Sequence, residues 1–94
     1  MDAHVTDNAA RKRFEIAVDG EPAGFAAYRL RDGVVVFTHT RIDPAFEGRG
    51  VGGTLARAAL DQVRERGDGV VAQCPFIAGW IEKHPDYQDL LVPA

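Results

Sequence analysis

Gly48, Gly50, Gly52 and Gly53 stand close together in the stretch Ile42-Asp43-Pro44-Ala45-Phe46-Glu47-Gly48-Arg49-Gly50-Val51-Gly52-Gly53-Thr54-Leu55, between a β-branched run and an alanine- and leucine-rich one. Glycines let backbone amides approach a ligand closely, and a helix start adds unpaired N–H groups and the positive end of its dipole. The chemistry offered is anion binding. Gly48, Gly50 and Gly53 also satisfy the dinucleotide pattern G-x-G-x-x-G, but the context is wrong for it. Asp43 to Glu47 separate the preceding strand from the first glycine, and the next strand ends in Gln73-Cys74 with no acidic residue for a ribose. No Lys-Ser or Lys-Thr follows the glycines, which excludes a nucleotide P-loop. The plain alternative is a connection that merely turns the chain, although each helix-start glycine costs up to ~1 kcal/mol relative to alanine.

Such a loop needs a strand and a helix to hold it, and the flanking patterns supply both. Residues 1–12 are polar and small, which predicts a flexible N-terminal tail with order beginning near Arg13. Phe14, Ile16 and Val18 alternate with Glu15 and Asp19, Asp19-Gly20 turns the chain, and a second run extends from Ala23 to Leu30. Asp32-Gly33 then leads into Val34 to Ile42, rich in Val, Phe, Thr and Ile. Three successive antiparallel strands follow from these signals. Pro44 breaks the pairing, and a helix from about Gly50 places Val51, Leu55, Ala56, Ala59, Leu60 and Val63 on one apolar face. Gly67 and Gly69 release the chain into Val70 to Cys74, a short buried strand whose position after the helix implies parallel pairing. Pro75 stops it, and Ile77, Trp80 and Ile81 have helical spacing up to His84-Pro85.

The 94 residues make one small domain, expected over 13–94, with 46% hydrophobic and 27% charged residues. A net charge of -3 lacks the basic field of a nucleic-acid or anionic-membrane binder. No apolar stretch would span a bilayer, and the N-terminus lacks the regions of a signal peptide, so a cytoplasmic location is expected. Cys74 is the single cysteine and cannot form an internal disulfide. No metal site is expected.

Ile42-x-Pro44, Glu47-Gly48-Arg49-Gly50-Val51-Gly52 and Leu55 together resemble the acetyl-CoA signature of GNAT-type N-acetyltransferases, whose loop reads Arg or Gln, two residues, Gly, any residue, Gly or Ala. With His39-Thr40, Gln73-Cys74-Pro75-Phe76 and His84-Pro85-Asp86-Tyr87, the likeness narrows to the minimal YjdJ-type branch and covers the chain from Phe14 onward. The resemblance implies an α+β fold: an antiparallel sheet, a long helix after the glycine loop, a splayed final parallel strand and a short C-terminal helix. It implies that Gly48 to Gly53, Val51 among them, hold the pyrophosphate of coenzyme A, while Thr40 and Ile42 offer backbone partners to pantetheine. Glu47 departs from the pattern, because a carboxylate near a pyrophosphate is unfavourable; its side chain should turn away and Arg49 supply the positive charge. Branch members lack the N-terminal helices that help build the acceptor pocket in larger relatives, so the acceptor side should be open.

Acetyl transfer from a thioester needs a deprotonated amine, aligned attack, a stabilised oxyanion and a proton for the leaving thiolate. His39, on the strand that would flank pantetheine, is the first candidate base; the other reading is a histidine hydrogen-bonded in the wall. Cys74 would lie near the acetyl group, either as a nucleophile or as a polarizable filler. The tyrosine that protonates the thiolate in many relatives has no counterpart on the last helix, which offers Trp80 and Ile81, and Tyr87 is the only nearby phenol. Phe76, Ile77 and Trp80 fit the core or the cofactor wall, and His84 either caps its helix or reaches the cofactor. The expected activity is transfer from acetyl-CoA to an unidentified small-molecule or protein amine, by a monomer or weak homodimer. The rival readings are a non-catalytic coenzyme A or acyl-CoA binding module and a partner-binding adaptor with a vestigial site.

Overall fold

The computed structural model describes residues 2–93; Met1, in the expected tail, and Ala94, at the end of the expected domain, lie outside the described residues. Strands β1 (Ala3–Asn8), β2 (Arg13–Val18), β3 (Glu21–Arg31) and β4 (Val34–Ile42) form an antiparallel meander, and β5 (Gly69–Ala72) joins β4 in parallel. The sheet order is therefore β1-β2-β3-β4-β5. Helix α1 (Val51–Glu65) links β4 to β5, and helix α2 (Pro75–Glu82) follows β5. This is the small α+β architecture the sequence implies, with a mixed sheet.

Local chemistry fixes the hairpins. Asp19 and Gly20 have φ of 50° and 83°, and Asp32 and Gly33 have 49° and 77°, so each pair supplies the doubly left-handed turn whose twist matches antiparallel strands. Helix α1 buries the apolar face expected of it, Val51, Leu55, Ala56, Ala59, Leu60 and Val63. That face packs against Phe14, Ile16, Val35 and Phe37 of the sheet and against Ile77 and Ile81 of α2 in one cluster. The chain end closes the far edge: Val92 N–H donates to Val70 O at 3.0 Å, with Tyr87 and Leu90 buried behind it.

Residues 3–8 are not a tail. They pair with β2 from Ala3↔Val18 to Asn8↔Arg13. Long-range polar contacts hold them there: Tyr28 donates to Asp7, Arg66 at the C-cap of α1 meets the same carboxylate at 2.9 Å, and Gln62 donates to Val5 O at 3.2 Å. Local apolar alternation is weak in this segment, so its partners had to come from distant parts of the chain.

Burial, and then the hydrogen bond to Asp7, push the Tyr28 phenol up from 10.0 to about 12. The folded state thus favours the neutral phenol. The associated stabilisation is fully present below pH 10 and is lost as pH rises towards 12. A loss of roughly 2 kcal/mol is expected over that window. Urea unfolding at stepped alkaline pH should show it in the wild type and a flatter profile in Tyr28→Phe; equal profiles would remove the Tyr28 assignment.

Candidate functional site

Strand β5 pairs with β4 only from Val34↔Gly69 to Phe37↔Ala72. Gln73 and Cys74 N–H then both donate to Phe37 O at 3.0 Å, and Pro75 turns the chain into α2. Beyond Phe37 the outer edge of β4 has no strand beside it among the described residues. Asp43 N–H donates to Ala23 O on the β3 side, so by alternation Thr40 and Ile42 turn their backbone N–H and C=O towards the open edge.

Asp43 starts a 3₁₀ turn over Pro44–Phe46 by accepting the Ala45 N–H at 2.9 Å, and Phe46 is buried as an anchor. Gly48 and Gly50 then adopt φ of 78° and 75°, in the left-handed region that disfavours other residues. Gly50 is the N-cap of α1, without a side-chain cap and without an acidic residue in the first turn. Thr54 N–H closes the first helical bond to Gly50 O at 3.1 Å, so the preceding amides of Val51, Gly52 and Gly53 remain open to an anion. A Cβ on Gly52 would come within 2.8 Å of the Phe76 ring, which lies across the loop. Arg49 is exposed, with its guanidinium 5.2 Å from the Phe46 ring centre, and Glu47 is exposed at the rim.

A recess of about 420 Å³ joins Thr40, Ile42, Glu47, the glycines and Phe76. On the far side of Gly50 and Gly53 a second recess of about 430 Å³ is walled by Arg57, Asp61, Trp80 and His84. The two share Gly50 and Gly53, so the loop sits between two hollows. In the second, the His84 ring stacks on Trp80 at 3.7 Å and 12°, and its Nδ1 lies 2.6 Å from Trp80 O. A carbonyl only accepts, so Nδ1 carries the hydrogen and His84 caps the last turn of α2 while forming part of the wall. Tyr87 is committed to structure: its buried hydroxyl donates to Asp61 at 2.7 Å and receives Arg57 at 3.1 Å. Burial, reinforced by Asp61, raises its pKa.

Cys74 is 3% exposed and its Sγ donates to Thr40 Oγ1 at 3.2 Å, just where β5 leaves β4. His39 goes elsewhere. Tyr28↔Phe37 and Ala27↔His39 are successive pairs, so Thr38 is an extra, bulged residue. Tyr28, Phe37 and Ala26, the partner of Thr40, lie in the buried cluster under the helices. His39 therefore faces the opposite side of the sheet, exposed, with its ring 6.0 Å from that of Phe25. The structure brings Thr40, Ile42, Glu47 to Gly53, Cys74 and Phe76 to one side, sets Trp80 and His84 next to them, and separates His39. Sequence reading missed Arg57 and Asp61; their alternation with the buried face of α1 marked them only as solvent-facing.

Over residues 13–90 the chain matches the family model described as GCN5-related N-acetyl-transferase. No curated protein matches it. It is similar to the solution structure of a GCN5-like candidate N-acetyltransferase from Staphylococcus aureus, with 25% identity and a TM-score of 0.72, over 97% of this chain and 89% of that one. Its fold is also similar to that of ribosomal-protein-alanine N-acetyltransferase from Brucella melitensis biovar Abortus 2308, with 19% identity and a TM-score of 0.60, over 87% of this chain and 62% of that one.

The burial of Cys74 gives a direct expectation. A bulky disulfide reagent should modify the thiol far more slowly in the native protein than in denaturant, because the reacting sulfur must first be exposed. Equal rates in the two states would contradict the buried Cys74–Thr40 contact.

Proposed function

The chain belongs to the GCN5-related N-acetyltransferase family, and from that premise we propose that it moves an acetyl group from acetyl-CoA to the nitrogen of an amine acceptor. The observation that carries the reading is the coincidence of an uncapped helix start with a strand edge left unpaired beside it. The open amides of Val51, Gly52 and Gly53 suit a pyrophosphate, with Gly48 and Gly50 shaping the turn and Arg49 supplying charge. Thr40 and Ile42 offer amide partners of the kind an extended pantetheine arm requires. Trp80, His84 and Arg57 provide aromatic and cationic walls for the nucleotide end, opposed in part by Asp61.

When bound, acetyl-CoA supplies a thioester carbonyl that accepts the amine lone pair as the C–S electrons depart with sulfur. The chain's own residues do the rest. Phe76 and Ile42 give the recess apolar walls, and Thr40, which bonds Cys74, lines it with them. In this reading Cys74 is a compact filler whose thiol already has a hydrogen-bond acceptor. In this reading His39, exposed on the opposite face, takes the amine's proton from the acceptor side.

One observation favours the rival module that binds coenzyme A without transfer: the hydroxyl of Tyr87 is engaged by Asp61 and Arg57, which leaves no phenol directed at a thiolate. Turnover separates the two. Acetyl transfer to an amine panel above background supports the enzyme; tight binding with no transfer supports the module.

A ligand that binds only the folded state raises its melting temperature. Acetyl-CoA at about a hundredfold its Kd should raise Tm by on the order of 10 °C for a domain of this size. Gly50→Glu should lower the starting Tm, since glutamate strains at that φ, and should abolish the ligand-induced rise. No rise in the wild type at saturating ligand would overturn the cofactor assignment. Cys74→Ala should retain most turnover; collapse of kcat in a folded variant would instead make the thiol a nucleophile.

A further inference from the structure

The helices cover one face of the sheet, yet a recess of about 470 Å³ lies on the other. We propose that this bare face holds the acceptor and that the acceptor is an amine which also carries a carboxylate, an inference that rests on the transferase reading above. The groove is lined by His4, Arg13, Glu15, Phe25, Arg41 and Asp43, among others. Its carboxylates are already engaged. Glu15 accepts from Arg13 at 2.7 Å and from Asn8 at 3.2 Å, and Asp43 accepts the Ala45 N–H at 2.9 Å. Arg13 in turn lies 4.6 Å from the centre of the Phe25 ring, which leaves an aromatic floor. Arg41 is different: it is exposed and has no carboxylate partner among the described residues.

Of the two arginines lining the groove, Arg13 is paired with Glu15 and Arg41 is the one left without a carboxylate partner among the described residues. An anionic group is what Arg41 lacks, and a forked guanidinium binds a carboxylate through paired hydrogen bonds. Position supports the assignment. Arg41 and His39 lie two residues apart on the same face of β4, so their backbones are about 7 Å apart along the strand. His39 also adjoins Thr40, whose hydroxyl meets Cys74 on the helix face. An aminocarboxylate held by Arg41 over Phe25 therefore presents its amine beside His39, at the edge of β4 that β5 leaves open, where a thioester lying along Thr40 and Ile42 meets it. The N–C bond forms as the thioester C–S bond breaks; one amine proton passes to His39, and the departing sulfur keeps the electron pair and gains a proton from solvent. Arg13, Arg41 and Arg29 on this face disfavour polyamines and lysine-rich peptides by like charge.

The test pairs each amine acid with its carboxamide, adds polyamines, and measures kcat and KM for wild type, Arg41→Ala and Arg41→Lys, with acetyl-CoA stabilisation followed in parallel. The acids should be preferred over their amides by about tenfold or more, as expected for a charge-assisted contact. Arg41→Ala should erase that preference through KM, and Arg41→Lys should restore part of it. Equal use of acids and amides, preference for polyamines, or an unchanged preference in Arg41→Ala would each overturn the acceptor assignment alone. No transfer to any amine, or no stabilisation of the wild type by acetyl-CoA, would instead overturn the transferase reading beneath it.

Discussion

Everything at the candidate site depends on a strand that stops early. β5 matches β4 for the four pairs from Val34↔Gly69 to Phe37↔Ala72, and a single carbonyl, Phe37 O, then accepts both final amides before Pro75 ends the ladder. A proline cannot extend the pairing, so the remaining length of β4 keeps its hydrogen-bonding edge free. An unpaired edge is normally a liability that proteins cover or blunt. Here the glycine loop and Phe76 converge on it instead, which makes the gap a cleft with polar groups on one side and a ring on the other.

The loop is held by packing rather than by its own rigidity. Leu55, Ala56, Ala59 and Leu60 are fully buried on α1, and Phe46 anchors the approach from β4. Small residues along that helix let it lie close to the sheet, so the position of its first turn is set by the core. The left-handed turns at Gly48 and Gly50 then orient the amides without a side chain intervening. Rigid elements thereby fix a site made almost entirely of backbone.

Much of this was legible in the residues. Asp-Gly pairs mark both tight hairpins because only a narrow set of residues accepts two positive φ angles in succession. The six buried positions of α1 follow from periodicity, and the glycine-dense loop at its start stands out in composition. Two features were not legible, and both are tertiary. β1 owes its place to Asp7, Tyr28, Arg66 and Gln62, contacts that span up to 59 residues of chain. His39 faces away from Cys74 because Thr38 is bulged, and one extra residue reverses the sides of every neighbour beyond it. The alternation read along β4 gives no sign of that reversal.

The meander has a consequence for synthesis. Sheet order follows chain order through β4, so pairing between neighbours needs only short closures, the kind that form quickly. As the chain leaves the ribosome, the first four strands can pair before α1 and β5 exist. Their apolar face then waits for the helix, and the parallel crossover follows, less local than any of the hairpins. The nascent protein is therefore a scaffold first, and the cleft beside the glycine loop is completed only with the final third of the polypeptide.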